Sequence, residues 1–140
     1  MRKKLFVLLM VFAVFFSLGT SVFAKEFNFD LKDGNFFGVL TSSGDYDKLN
    51  FNPYEIIGKT LYFQLHGPST SVYKVQLYEG SSSKKTLDQG DIGIYSNFIA
   101  GKNYYFRIST KKFDKNSNDR DYKLSVWYYN TNNQKVYITK

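Results

Sequence analysis

The 140-residue chain has no cysteine, two prolines, one histidine and one tryptophan. Without cysteine there is no disulfide scaffold, no thiol nucleophile and no acceptor for a lipid on a mature N-terminus, so stability in an exported protein must come from packing. With a single histidine, His66, and nothing near it that resembles a nucleophile elbow or a metal-binding pair, hydrolase chemistry has few starting points. An apolar run long enough to cross a bilayer is also missing. The longest, Leu5 to Leu18, has 14 residues against about 20 for a span. What is abundant is aromatic: 19% of the chain, with 43% hydrophobic overall, which excludes a disordered tail or a collagen-like fibre and can build one core. The formal charge of +7 is spread over scattered lysines, so no electrostatic footprint for nucleic acid is present.

Arg2-Lys3-Lys4, the apolar run and Gly19-Thr20-Ser21-Val22-Phe23-Ala24 have the order of a cleavable export signal, with small side chains at Val22 and Ala24. The expected organisation is therefore a signal peptide over 1–24 and a single domain over 25–140, secreted and extracellular, with no membrane span after cleavage. Losing Arg2, Lys3 and Lys4 lowers the formal charge from +7 to +4.

Alternation with period two recurs along the mature chain, and no sustained three-four apolar spacing interrupts it. Phe27, Phe29 and Leu31 alternate with polar residues. Asp33-Gly34-Asn35 then turns the chain into Phe36 to Thr41, and Leu49 and Phe51 follow the Ser42 to Asp45 turn. Leu61, Phe63 and Leu65, then Tyr73, Val75 and Leu77, are the next inward sets. Gly80 to Lys85 reads as an exposed loop. Ile92 and Ile94 alternate with Asp91, Gly93 and Tyr95. The Ala100 to Asn103 turn leads to Tyr104, Phe106 and Ile108, and a polar loop from Lys111 to Arg120 leads to Tyr122, Leu124, Val126 and Tyr128. A last strand runs through Val136 and Ile138. About nine short strands predict an all-β, antiparallel two-sheet β-sandwich of jelly-roll type. The expected core is Phe29, Phe51, Leu61, Phe63, Val75, Leu77, Phe106, Ile108, Leu124 and Val126.

Several segments, taken in order, resemble the bacterial pre-peptidase C-terminal domain. They are Asp45-Tyr46-Asp47-Lys48-Leu49-Asn50-Phe51, Gly58-Lys59-Thr60-Leu61, Val75-Gln76-Leu77-Tyr78-Glu79, Ala100-Gly101-Lys102-Asn103-Tyr104-Tyr105-Phe106-Arg107-Ile108 and Asp121-Tyr122-Lys123-Leu124-Ser125-Val126. Leu49 stands where that family usually has an aromatic, and Tyr73-Lys74 where it often has acids. The resemblance implies a jelly-roll-like sandwich without a catalytic role, whose relatives accompany secreted peptidases and bind collagen or other polymers, some with calcium.

Three groups of residues are candidates for function. Asp45 and Asp47, two apart, could converge as a carboxylate pair, whereas the resemblance makes them residues that hold a turn at the head of a strand. Asp114, Asn116, Asn118, Asp119 and Asp121 form an oxygen-rich loop resembling a calcium loop, with Asp119 in place of the required glycine and Ser125 in place of the closing glutamate; the expectation is no cofactor, with calcium as the one alternative. Tyr62, Tyr105, Trp127 and Tyr129 fall on the outward phase of their strands, where a sandwich should be polar, and are the candidate ligand-binding platform. The reading is a free-standing, non-catalytic binding module for an extracellular polysaccharide or a matrix or cell-surface protein. Its alternatives are a carbohydrate-binding module and a secreted regulator of a peptidase, inhibitor or chaperone.

Overall fold

The structure, a computed structural model, describes residues 24–29, 31 and 34–137. The export signal, apart from Ala24, lies outside the described residues, as do Asp33 of the first turn and Ile138 of the last strand. Ten strands are described: β1 (Ala24–Asn28), β2 (Asn35–Val39), β3 (Tyr46–Phe51), β4 (Leu61–His66), β5 (Val72–Glu79), β6 (Ser82–Asp88), β7 (Ile92–Tyr95), β8 (Tyr104–Lys112), β9 (Asp121–Tyr129) and β10 (Lys135–Tyr137), with one 3-10 turn at Tyr54–Ile56. They form two five-stranded sheets. The first runs β1-β3-β8-β5-β6. The second runs β10-β9-β4-β7, and β2 also pairs with β9. All pairings are antiparallel except β1 with β3. In the second sheet β2 and β10 share one edge of β9 end to end, β2 against Asp121–Ser125 and β10 against Trp127–Tyr129.

The alternation read from the sequence is what closes the sandwich. All ten expected core residues are buried, joined by Leu31, Leu40, Leu49, Ile56, Leu65, Phe98 and the tyrosines 73, 104 and 122. Phe106 sits at the centre, its ring 5.0 Å from both Phe51 and Phe63. Packing of this kind supplies both apolar burial and aromatic contact energy.

Three segments depart from the simple pattern, each for a physical reason. Gly80-Ser81 is a hairpin turn rather than the start of a loop, with Gly80 at φ 56°, and Ser82 onward forms β6. As an edge strand, β6 needs few inward apolar groups, and Lys84 and Lys85 suit a border that must not pair with another chain. In β7 the apolar phase is reversed: Gly93 is buried while Ile92 and Ile94 are 53% and 51% exposed. A Cβ on Gly93 would lie 2.4 Å from Phe63 Cζ and 2.5 Å from Leu87 Cδ1, so only glycine fits inward there. β2 repeats the arrangement. The Tyr122 ring occupies the space beside Gly38, while Phe37 and Val39 stand 71% and 41% exposed.

Candidate functional site

The two carboxylates that could have formed a catalytic pair are both committed to the fold. Asp45 lies in the turn before β3 and accepts hydrogen bonds from the Thr41 backbone N–H at 2.9 Å, the Ser42 hydroxyl at 2.7 Å and the Thr41 hydroxyl. Burial works to raise its pKa, but these donors outweigh it and hold the carboxyl below its ordinary value. Asp47 occupies an inward position of β3 and accepts a hydrogen bond from the Tyr122 hydroxyl. Burial raises the Asp47 pKa against the opposing pull of that hydroxyl and of Lys25. Burial, and then the Asp47 partner, push the Tyr122 phenol far above its ordinary range. Its neighbour Tyr73 is raised by burial to about 12 and donates to the Arg120 carbonyl at 3.0 Å. The turn-holding role implied for Asp45 is thus visible. Asp47 holds the inner face of β9 instead.

The oxygen-rich loop is organised around a side chain of its own. Arg120 donates through Nε to the Ser117 carbonyl at 3.1 Å and through Nη2 to that of Lys115 at 3.4 Å, and its guanidinium lies over the Phe113 ring. Asp114 Oδ1 accepts from the Asn116 N–H, and Asp119 Oδ2 from the Ser69 N–H. Asp114, Asp119 and Asp121 do not converge: among the described residues no three His, Cys, Asp or Glu side chains are grouped to hold a metal. A calcium ion wants six to eight oxygens, and two of the loop's carbonyls, those of Ser117 and Lys115, accept from Arg120 instead. Melting curves with excess calcium and with chelator are expected to coincide. A chelator-induced drop in melting temperature would restore the loop as a structural calcium site.

The four outward aromatics divide between the two sheets. Tyr105 is on the first, half-buried, stacked on Tyr78 at 4.8 Å with the Lys48 ammonium 4.9 Å above it. Beside it lies an open cleft of about 950 Å³ lined by Asn28, Asn50, Asn52, Asn103, Tyr54 and other residues. Tyr62, Trp127 and Tyr129 come together on the second sheet. Tyr62 is in register with Trp127 and stacks on it at 6.0 Å and 15°, and Tyr129 meets Tyr62 edge-on at 4.9 Å. Trp127 is outward in phase but only 3% exposed. The return of the chain through β10 explains this, since it places the Lys135 ammonium 3.8 Å from the indole centroid. The indole is thus covered, and Trp127 is not a free stacking surface. Tyr129 remains 42% exposed.

Residues that sequence reasoning did not select complete this face. Phe37 and Val39 on β2, and Ile92 and Ile94 on β7, display apolar side chains along its two borders. Between them runs a polar band. Phe37 pairs with Lys123 and Lys123 with His66; Asn35 pairs with Ser125, Ser125 with Gln64, and Gln64 with Ile92. Asn35, Gln64, His66, Lys123, Ser125, Trp127 and Lys135 line a groove of about 540 Å³. The sequence signal was the repeated tripeptide of glycine between two apolar residues, Phe37-Gly38-Val39 and Ile92-Gly93-Ile94.

His66 ends β4 in this groove. Burial, then Lys123 and Lys135, lower its pKa, so nothing tunes it toward a charged role at neutral pH.

No protein-family profile matches the chain, and no curated protein matches it. Solved structures do. The pre-peptidase C-terminal domain of collagenase from Bacillus anthracis aligns over 77% of this chain and 98% of that one, with TM-score 0.54 and 16% identity. The Yersinia pseudotuberculosis-derived mitogen aligns over 66% and 81%, with TM-score 0.53 and 17% identity. A periplasmic inhibitor of g-type lysozyme from Aeromonas hydrophila aligns over 75% and 95%, with TM-score 0.52 and 13% identity. The architecture is thus a pre-peptidase C-terminal-like β-sandwich. At these identities the likeness concerns the fold alone.

Proposed function

We propose that this chain is a secreted, non-catalytic binding module that engages an extracellular protein surface or polymer through the outer face of its second sheet. The observation that carries the reading is the placement of Phe37, Val39, Ile92, Ile94 and Tyr129, all exposed and all on that face. A sandwich face turned to water is ordinarily polar, and large apolar side chains left exposed along both borders of one face mark that face as an interaction surface. The commitment of Asp45 and Asp47 to internal hydrogen bonds agrees with a module that does no chemistry. The export signal read in the sequence agrees with an extracellular partner. Among the described residues no helix is long and apolar enough to cross a membrane.

The structural neighbours include a collagenase domain and a lysozyme inhibitor, which favours a matrix or other protein partner, and so leaves room for a regulator. A second reading, a carbohydrate-binding module, is favoured by the cleft beside Tyr105, whose asparagines and tyrosines suit sugar hydroxyls and ring faces. Pull-down on matrix proteins and insoluble polysaccharides decides between them. The double variant Phe37→Ser, Ile94→Ser is expected to melt close to the parent, because both side chains are exposed, and to lose binding by about tenfold or more. If binding survives that change and is lost in Tyr105→Ala, the module works through the first sheet, and the carbohydrate reading replaces this one.

A further inference from the structure

Resting on the binding role proposed above, we propose that the groove on the second sheet is a site for an acidic peptide segment of a protein partner, which places a carboxylate between Lys123 and His66 and apolar side chains on the two borders. Three observations lead there. The first is charge. Of the seven lining residues two are lysines, Lys123 and Lys135, none is acidic, and His66, whose pKa is lowered, offers a ring N–H as a donor rather than a charge. Asp121 shares the outward phase of β9 but lies beyond Lys123, opposite Val39, outside the groove. A concave site of one sign focuses its field on a counter-charge.

The second is an unmet donor. The Trp127 indole N–H is buried and has no acceptor among the described residues, and Trp127 lines this groove. A buried N–H without a partner carries the full desolvation penalty of the group, so a ligand oxygen reaching it relieves a cost already present in the free protein. A peptide carboxylate answers the lysine charge, and a backbone carbonyl of the same peptide can accept from the indole N–H.

The third is the apolar borders, which distinguish a peptide from an acidic glycan. Phe37 and Val39 stand on one side, Ile92 and Ile94 on the other, and aliphatic side chains offer contact to leucine or valine rather than a flat surface for a sugar ring. The indole itself is closed to stacking by Tyr62 and Lys135. β2 and β7 are separated by β9 and β4, three strand spacings or about 14 Å. In an extended peptide, residues four apart lie on one side at about the same distance. The complementary pattern is therefore apolar-x-acid-x-apolar, laid across the strands.

Trp127 is the single tryptophan of the chain, so its fluorescence reports on this groove directly. The mature protein is titrated with a glycine-flanked Leu-Ser-Glu-Ser-Leu peptide, with the same peptide carrying glutamine for glutamate, and with polygalacturonate. The acidic peptide is expected to shift the emission, the glutamine form to bind about tenfold more weakly, Lys123→Gln to cost a similar factor, and added salt to weaken binding. An absent shift overturns the proposal, as does equal affinity for the glutamine peptide or for Lys123→Gln. A response to polygalacturonate without one to the peptide assigns the groove to acidic glycans instead. Pull-down with Phe37→Ser, Ile94→Ser separates the two levels: if that variant loses its partner while the peptide fails to bind, the face is functional and the acidic-peptide inference alone is wrong.

Discussion

Replacing Trp127 with alanine is expected to destabilise the protein by about 3–5 kcal/mol, the range for truncating a buried large aromatic. On strand phase alone Trp127 points to solvent, and an exposed residue would be removed at almost no cost. The structure reverses that expectation because the indole is packed against Tyr62 and the Lys135 ammonium and is only 3% exposed. Its loss also removes the Lys135 side-chain contact that supplements the backbone pairing of the short β10 with β9. Urea denaturation of the variant measures the effect. Trp127→Phe is expected to recover about half of the loss, since it restores a ring against Tyr62 but not the full area. A destabilisation below about 1 kcal/mol would show that the indole is exposed in solution.

Tyr122→Phe is expected to cost about 2–3 kcal/mol at neutral pH, with a cost that shrinks on acidification. The variant leaves the buried Asp47 carboxylate without the hydroxyl that now donates to it. The folded pKa of Asp47 is already raised above the ordinary 3.8 by burial, and losing the donor raises it further. A carboxyl that binds its proton more tightly when folded makes stability fall as pH rises from 3.8 through the folded pKa. The deficit relative to the parent is therefore largest above the folded pKa of the variant and smallest below 3.8, where Asp47 is protonated in both states. Asp45 runs the other way, its lowered pKa contributing stability that is lost on acidification, but it is common to both proteins and cancels in the difference. Unfolding free energies at neutral and acidic pH test this, and a pH-independent deficit would mean that Asp47 is not ionised in the fold.

The central strands were legible because their side chains do one thing each. β4, β5, β8 and β9 alternate bulky apolar with polar residues, and a half-buried strand requires that alternation. The edges were harder to read. β6 has no apolar alternation until Leu87 because an edge strand meets water on most sides. In β2 and β7 one inward position of each is a glycine, Gly38 and Gly93, because the Tyr122 and Phe63 rings fill the space there, and those rings come from other strands of the sheet.

The candidate site shows the same division. Tyr62, Trp127 and Tyr129 were found from phase, and register brings them together, but phase could not show that Tyr105 belongs to the opposite sheet. Nor could it show that Arg120 would organise the loop of Asp114, Asn116, Asn118 and Asp119 through its own guanidinium.

By itself the sequence determined the all-β class, the inward residues of the central strands, the absence of thiol chemistry and the surplus of outward aromatics. These follow from composition and from the two-residue period, which are local properties of the chain. Only the tertiary structure decided which outward residues are covered, which sheet each belongs to, and that two apolar borders flank a basic band. Such properties depend on register and on neighbours distant in sequence. A side chain's exposure is set by what packs beside it in space.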